Sequence, residues 1–215
     1  MESDQEFTER IHKIYEILVG AIPDSSPLLT FDSPYQLLIA VILSAQTTDA
    51  QVNGVTPTLF GKYPAPADLA RASLDDVETI VHSVGFFHTK AKNIRAAARM
   101  LVDRYEGKVP GTMDELLVLP GVGRKSANVV LGRCFSQPAI IVDTHFGRVT
   151  RRIGLTESKD PEKVEYRLKS LVPPDMQYEF SMLINLHGRG TCNSRSPRCA
   201  DCAIALYCDS QEEVS

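Results

Sequence analysis

No stretch of the 215 residues approaches the ~18 consecutive apolar residues that a membrane-spanning helix needs. The first ten residues, MESDQEFTER, are acidic and lack the basic and apolar regions of a secretory signal. Both absences predict a soluble cytoplasmic protein. Strand-like alternation is almost missing too, and the β-branched run from Ala139 to Asp143 is too short and isolated to build a sheet. There is no internal repeat and no low-complexity linker to mark a domain boundary. Cysteine is scarce and odd in number. Four of the five lie within seventeen residues, which argues against a disulfide framework in a chain of this size.

What remains is helix. Phe7, Ile11, Ile14 and Leu18 fall at helical spacing. Ser33 is placed to cap a helix that starts at Pro34 and is apolar enough to be buried all round. A further helical run covers Thr47 to Phe60, with Gly54 and Pro57 as interruptions. Ser73 to Asp76 and Thr112 to Glu115 both read as capping boxes. The run from His88 to Tyr105 is a long amphipathic helix that turns Ile94, Ala97, Ala98, Leu101 and Val102 inward. The fold class is all-α.

The net charge of −4 gives no sign of a nucleic-acid binder, but its distribution does. From Gly121 to Leu155 the chain carries Arg124, Lys125, Arg133, Arg148, Arg151 and Arg152 against a single acid, Asp143. The acids crowd the two ends instead: Glu2, Asp4, Glu6 and Glu9, then Asp209, Glu212 and Glu213. A basic stretch on an acidic chain predicts a localised anion-binding surface.

At its start lies LPGVGRKSANVVL, two glycines in a tight turn before a helix. The amides of Val122, Gly123 and Arg124 are then expected to point outward at a helix N-terminus, where N–H groups lack intrahelical partners. Such a site grips phosphates and reads no base sequence. Lys125 sits one step inside that helix, where the dipole disfavours a cation. The same positive potential, with Arg124 adjacent, favours the neutral amine that can attack an electrophile. Asp143 occupies an N-cap position after the apolar run, and can both cap and assist a proton transfer or stabilise a sugar cation.

The cysteines read Cys192-x6-Cys199-x2-Cys202-x5-Cys208. Four thiolates in so short a loop point to a metal or cluster, and one Cys-x2-Cys with two wider gaps fits a cubane better than zinc. Little in the segment can form an apolar core, so binding is coupled to folding. Arg195 and Arg198 in the six-residue gap are candidates for phosphate contact. Cys134 stands apart and reads as a small buried hydrophobe.

Together LPGVGRKSANVVL, VDTHFGRV, SAQTTD and LHGRGTC with the four-cysteine loop resemble the endonuclease III family of DNA glycosylases with lyase activity. The resemblance runs from about residue 10 to 208. It implies two interleaved helical domains: residues 27–138 as a six-helix domain with the helix–hairpin–helix, and residues 1–26 with 139–215 as a [4Fe-4S] domain. It also implies a cleft between them with Lys125 and Asp143 on opposite sides. The expected partner is duplex DNA bearing an oxidised pyrimidine or abasic site, acted on by a monomer at the nucleoid. The lesion is flipped out, as enzymes acting on a base require. Lys125 then attacks C1′, forms a Schiff base, and β-elimination cuts the strand, with Asp143 assisting. Gln46 matches a glutamine that fills the gap left by the flipped base, and Phe86 falls where the family carries an aliphatic wedge. The basic stretch adds Arg148 to the DNA contacts. Adenine glycosylases use a glutamate on an early helix, but this chain has none between Glu16 and Glu78. A binding module without activity, or an iron–sulfur electron carrier, would not need Lys125 and Asp143 together.

Overall fold

A computed structural model describes residues 3–22 and 28–210 of the protein. Among them there are eleven α-helices, two 3-10 turns and no strand. The chain divides into two compact units: one within Pro27–Ser136, the other within Met1–Ser26 and Gln137–Ser215. The chain therefore begins in the second unit, leaves to build the first, and returns.

The Pro27–Ser136 unit holds α2 (Pro34–Leu43), α3 (Asp49–Lys62), α4 (Pro66–Arg71), α5 (Leu74–Val81), α6 (Phe87–Tyr105), α7 (Met113–Leu117) and α8 (Arg124–Phe135). Its centre is α2, where every residue from Leu37 to Leu43 is buried and Tyr35 with them. Ser33 caps it by accepting from Gln36 N, and Pro34 occupies the first turn, where its missing N–H costs nothing. Helices α3, α6 and α8 pack around α2 and bury Val52, Leu59, Ile94, Ala97, Leu101 and Val130.

Three local expectations are revised. Helix α3 runs through Gly54 and Pro57 without a break. Val52, Val55 and Thr56 before the proline and Leu59 and Phe60 after it are all buried, at roughly 1.5–3 kcal/mol for each large apolar side chain. That outweighs the ~3 kcal/mol of an interior proline. Ser73 and Thr112 cap as expected, accepting from Asp76 N and Glu115 N, but neither box closes, and Glu115 accepts from the Thr112 hydroxyl instead. Val102 is 39% exposed, at the edge of the stripe that buries Ile94, Ala97, Ala98 and Leu101.

The other unit contains α1 (Asp4–Ala21), α9 (Thr144–Arg152), α10 (Pro161–Leu171) and α11 (Gln177–Gly190), followed by the cysteine loop with its turns at Cys199–Asp201 and Ala205–Tyr207. Ile11, Ile14 and Leu18 of α1 join Phe146, Leu168, Phe180 and Ile184 in a second core. Phe146 and Phe180 meet edge to face at 6.3 Å. The guanidinium of Arg10 donates to Ile153 O, Tyr207 O and Asp209 Oδ1, fastening α1 to the end of the cysteine loop. Gly154, at φ 74°, lies so close beneath Asp209 that an added Cβ would fall 1.7 Å from its Oδ2.

Candidate active site and nucleic-acid interface

The hairpin between α7 and α8 is closed by two successive turn bonds, Leu119 N to Leu116 O and Val122 N to Leu119 O, each 3.1 Å. The amide of Val122 is therefore used inside the turn and its side chain is buried. This overturns the expectation that Val122 offers its N–H outward. A turn this tight must close on itself before a helix can start. Gly121 takes φ 81°, and a Cβ there would lie 2.9 Å from Ile42 Cγ2 and 3.0 Å from Asn93 Cβ. Gly123 is the N-cap of α8, at ordinary φ, with nothing within 4 Å of the place a Cβ would occupy. Its amide and those of the first turn of α8 sit at the end of a twelve-residue helix with no acid in its first turn. Arg124 is half-buried there. Lys125 is exposed and makes no side-chain hydrogen bond or ion pair among the described residues.

Asp143 caps α9, its Oδ1 accepting from Phe146 N at 2.7 Å. Its other oxygen is also engaged. Asn185 of α11 donates from Nδ2 to Asp143 Oδ2, at 2.5 Å, and accepts at Oδ1 from Arg189 Nε at 2.9 Å. The amide's orientation is fixed chemically, because a carboxylate can only accept and a guanidinium can only donate. One turn earlier on α11, Ser181 receives Ile141 N at 3.0 Å. A ladder of polar side chains at i, i+4 and i+8 thus holds the extended segment before Asp143, doing for this strand-like run what a neighbouring strand would. Asn185 and Arg189 escaped the motif reading. The signal that could have found them is Ser181, Asn185 and Arg189 recurring every fourth residue on a helix otherwise rich in apolar residues.

Gln46 and Phe86 lie in the Pro27–Ser136 unit and share an unusual property. Both are non-glycine residues in the left-handed region, at φ 53° and 59°. Phe86 is 69% exposed while its neighbour Phe87 packs on the core. Gln46 is exposed in the turn after α2.

Cys192, Cys199, Cys202 and Cys208 are each half-buried and line a single pocket with about 370 Å³ of atom-free space, partly open to solvent. The other walls include Ile153, Ile204, Pro197, Arg152 and His187, and no carboxylate. Arg152 donates to Cys192 Sγ at 3.2 Å and to the carbonyls of Asn193 and Ser194. Burial pushes the Cys202 and Cys208 thiols up, and the neighbouring cysteines push them the same way. His187 lies 3.6 Å from Cys202 Sγ, and burial pushes its imidazole down to about 4. Among the described residues, no three His, Cys, Asp or Glu side chains have the spacing of a single-ion site. Cys134 belongs to the Pro27–Ser136 unit, packed on its core, its thiol pushed up by burial.

The arginines expected at phosphates separate. Arg148 turns inward: its guanidinium donates to Gly188 O and Cys192 O and contacts His145 Nδ1 at 3.2 Å. The carbonyls at the C-terminal end of α11 attract the cation, so the Arg148 guanidinium is engaged by the loop. Arg198 donates to Gly190 O, which pins it across the same loop, although it remains exposed. Arg195 is exposed, with no hydrogen bond or ion pair among the described residues.

The chain thus carries a helical hairpin whose bare glycine N-cap precedes a lysine, an aspartate that caps a helix, and a four-thiol pocket. Residues 39–174 match the family model described as HhH-GPD superfamily base excision DNA repair protein. Within that superfamily, the chain belongs to the endonuclease III family. It is 45% identical to endonuclease III of Synechocystis sp. over 205 residues, 95% of this chain and 94% of the relative. A solved non-covalent endonuclease III–DNA complex superimposes with a TM-score of 0.91 at 39% identity, covering 99% of this chain and 98% of that one. A trapped endonuclease III–DNA covalent intermediate matches with the same score and identity, covering 99% of each chain. No helix among the described residues is long and apolar enough to cross a membrane.

Proposed function

We propose that this protein removes oxidised pyrimidines from duplex DNA and then cleaves the strand at the abasic site. The observation that carries this reading is Lys125: an exposed lysine with no internal partner, in the first turn of a helix whose glycine N-cap is bare. The amine stands beside the unpartnered N–H groups of that helix start, where an anionic ligand and an attacking amine can meet. The ε-amine attacks C1′ of the flipped nucleotide and the base leaves with the bonding electrons. Loss of a proton from nitrogen and opening of the sugar ring give a Schiff base. β-Elimination then expels the 3′ phosphate. Asp143 assists as proton acceptor or by stabilising the developing sugar cation. Gly123 and Arg124 hold the backbone through amides at the hairpin, while Arg195 and Arg198 in the cysteine loop supply charge. Gln46 and Phe86 enter the duplex, one filling the vacated position and the other wedging the stack.

The four-thiol pocket fits a [4Fe-4S] cluster. Its donors are all soft thiolates, two arginines lie on its wall, and four bare thiolates in one half-buried space need a cation to offset them. When bound, the cluster cross-links the loop in place of an apolar core and takes no part in the chemistry at C1′.

Borohydride trapping on a duplex with one thymine glycol tests the reading. A covalent protein–DNA adduct is expected, and none with Lys125→Ala. Base release by Lys125→Ala at the wild-type rate, without an adduct, would assign the chemistry to a water nucleophile instead.

A further inference from the structure

Lys90 lies one turn into α6 and is only 4% exposed, yet it has no ion-pair partner among the described residues. Its ammonium donates to Thr47 Oγ1 at 2.5 Å. The Thr47 hydroxyl has one proton, and it goes to Ala45 O at 3.4 Å. This relay spans the turn from Ala45 to Thr47, and Gln46 is the residue in its middle. At the other end, Lys90 N donates to Phe86 O at 3.1 Å, closing the first turn of the helix that Phe86 begins. Between the two turns sits Gly85: a Cβ there would be 3.7 Å from Gln46 O and 3.8 Å from Thr47 Oγ1. One buried residue therefore ties together two exposed residues, each held in a backbone conformation it would not adopt unaided.

A lysine retained in this state carries a cost that packing alone does not explain. Burial pushes its amine down and no carboxylate offsets the charge. A methionine would fill the same space without desolvating a cation. A strained, unstable arrangement kept where a side chain must project is the signature of a functional constraint.

We infer that Lys90, acting through Thr47, is a positioning residue that holds Gln46 and Phe86 as one two-pronged element, so that opening the duplex depends on it more than bond cleavage does. This rests on the reading of Gln46 and Phe86 as the residues that enter the duplex. Lys90→Met, Thr47→Val and their double variant test it in the cluster-loaded protein, beside Gln46→Ala and Phe86→Ala. The fluorescence of 2-aminopurine opposite thymine glycol reports intrusion into the stack. Single-turnover excision reports the whole reaction, and strand cleavage at a preformed abasic site facing a one-nucleotide gap reports chemistry that needs no base pair opened.

Lys90→Met is expected to reduce the fluorescence amplitude at least threefold and excision about tenfold. Cleavage at the gapped site should stay within twofold of wild type. Thr47→Val should match it, the double variant should be no worse than either single one, and the thermal midpoint of Lys90→Met should not fall. A lowered midpoint with all three activities reduced in parallel would make Lys90 an ordinary structural residue and overturn the inference. If Gln46→Ala and Phe86→Ala reduce the amplitude while Lys90→Met does not, the inference alone fails. If Gln46→Ala and Phe86→Ala leave the amplitude unchanged, the reading of those two residues fails first.

Discussion

At the scale of single residues, Asp143 shows how a capping side chain keeps room for the catalytic role proposed for it. A carboxylate offers about four lone-pair directions, and Phe146 N and Asn185 Nδ2 occupy one on each oxygen. The outer lone pairs stay available, while rotation about the last side-chain bond is blocked. Asn185→Leu keeps the volume and removes the second donor. Loss of one such bond is worth about 1–2 kcal/mol, so single-turnover excision should fall about tenfold or more. DNA affinity, measured on an uncleavable abasic analogue, should hold, since Asn185 is placed to orient Asp143 and not to grip phosphate. An affinity loss as large as the rate loss would place Asn185 at the DNA instead. In an Asp143→Asn background the same substitution should add little, because the two act as a unit. Asp143 and its cap were legible from the sequence, as an acid after a β-branched run. Asn185 was not, because its importance comes from a contact 42 positions away that local patterning cannot register.

At the scale of elements, the two hairpin glycines look alike in the sequence and do different work. Gly121 is required from within: its φ of 81° is in the left-handed region, and a Cβ would press on Ile42 and Asn93. Gly121→Ala combines backbone strain with overpacking, on the order of 2 kcal/mol or more. It should lower the midpoint of chemical denaturation. Gly123 has ordinary backbone angles and empty space where a side chain would stand. Nothing in the protein demands glycine there, and the proposed function has the DNA backbone approach this bare amide closely. Gly123→Ala should cost under about 1 kcal/mol of stability, the usual range for an altered N-cap. Its affinity for duplex DNA should drop about tenfold. Equal affinity in Gly123→Ala and wild type would show that phosphate does not pack on this amide.

The helices themselves were legible because Ser33, Thr112 and Asp143 cap where their side-chain chemistry dictates. Continuity through Pro57 was not, since it depends on which side chains find partners across the core. The same holds for Arg148 and Val122. Both are of the right type in the right stretch, but their polar groups are taken up internally by carbonyls that sequence spacing does not reveal.

At the scale of the molecule, each unit owns a separate apolar core, and the loop cysteines Cys192, Cys202 and Cys208 pack only against the second. Within Pro27–Ser136 the core is made by α2 and the helices around it, and no cysteine ligand contributes. In the other unit, the chain beyond α11 folds over the pocket through short turns, and Ile204 is the one fully buried apolar residue among those described there. The remaining ties are polar: Arg10 to Tyr207 and Asp209, Arg152 to Asn193 and Ser194, Ser210 N to Arg152 O. Such bonds contribute only ~1 kcal/mol each and are exchanged readily for water, so they cannot hold seventeen residues of loop against its conformational entropy of about 1–2 kcal/mol per residue. Removing the iron of the proposed cluster with an oxidant and chelator should therefore raise amide hydrogen exchange across residues 191–210, and next at Ile153 and Gly154 beneath Asp209. Residues 37–43 of α2 should keep their protection, because none of the four loop cysteines packs on that core. Unchanged exchange at 191–210 after iron loss would mean the polar ties suffice. Collapse of protection in α2 at the same iron content would mean that the core within Pro27–Ser136 does not stand on its own.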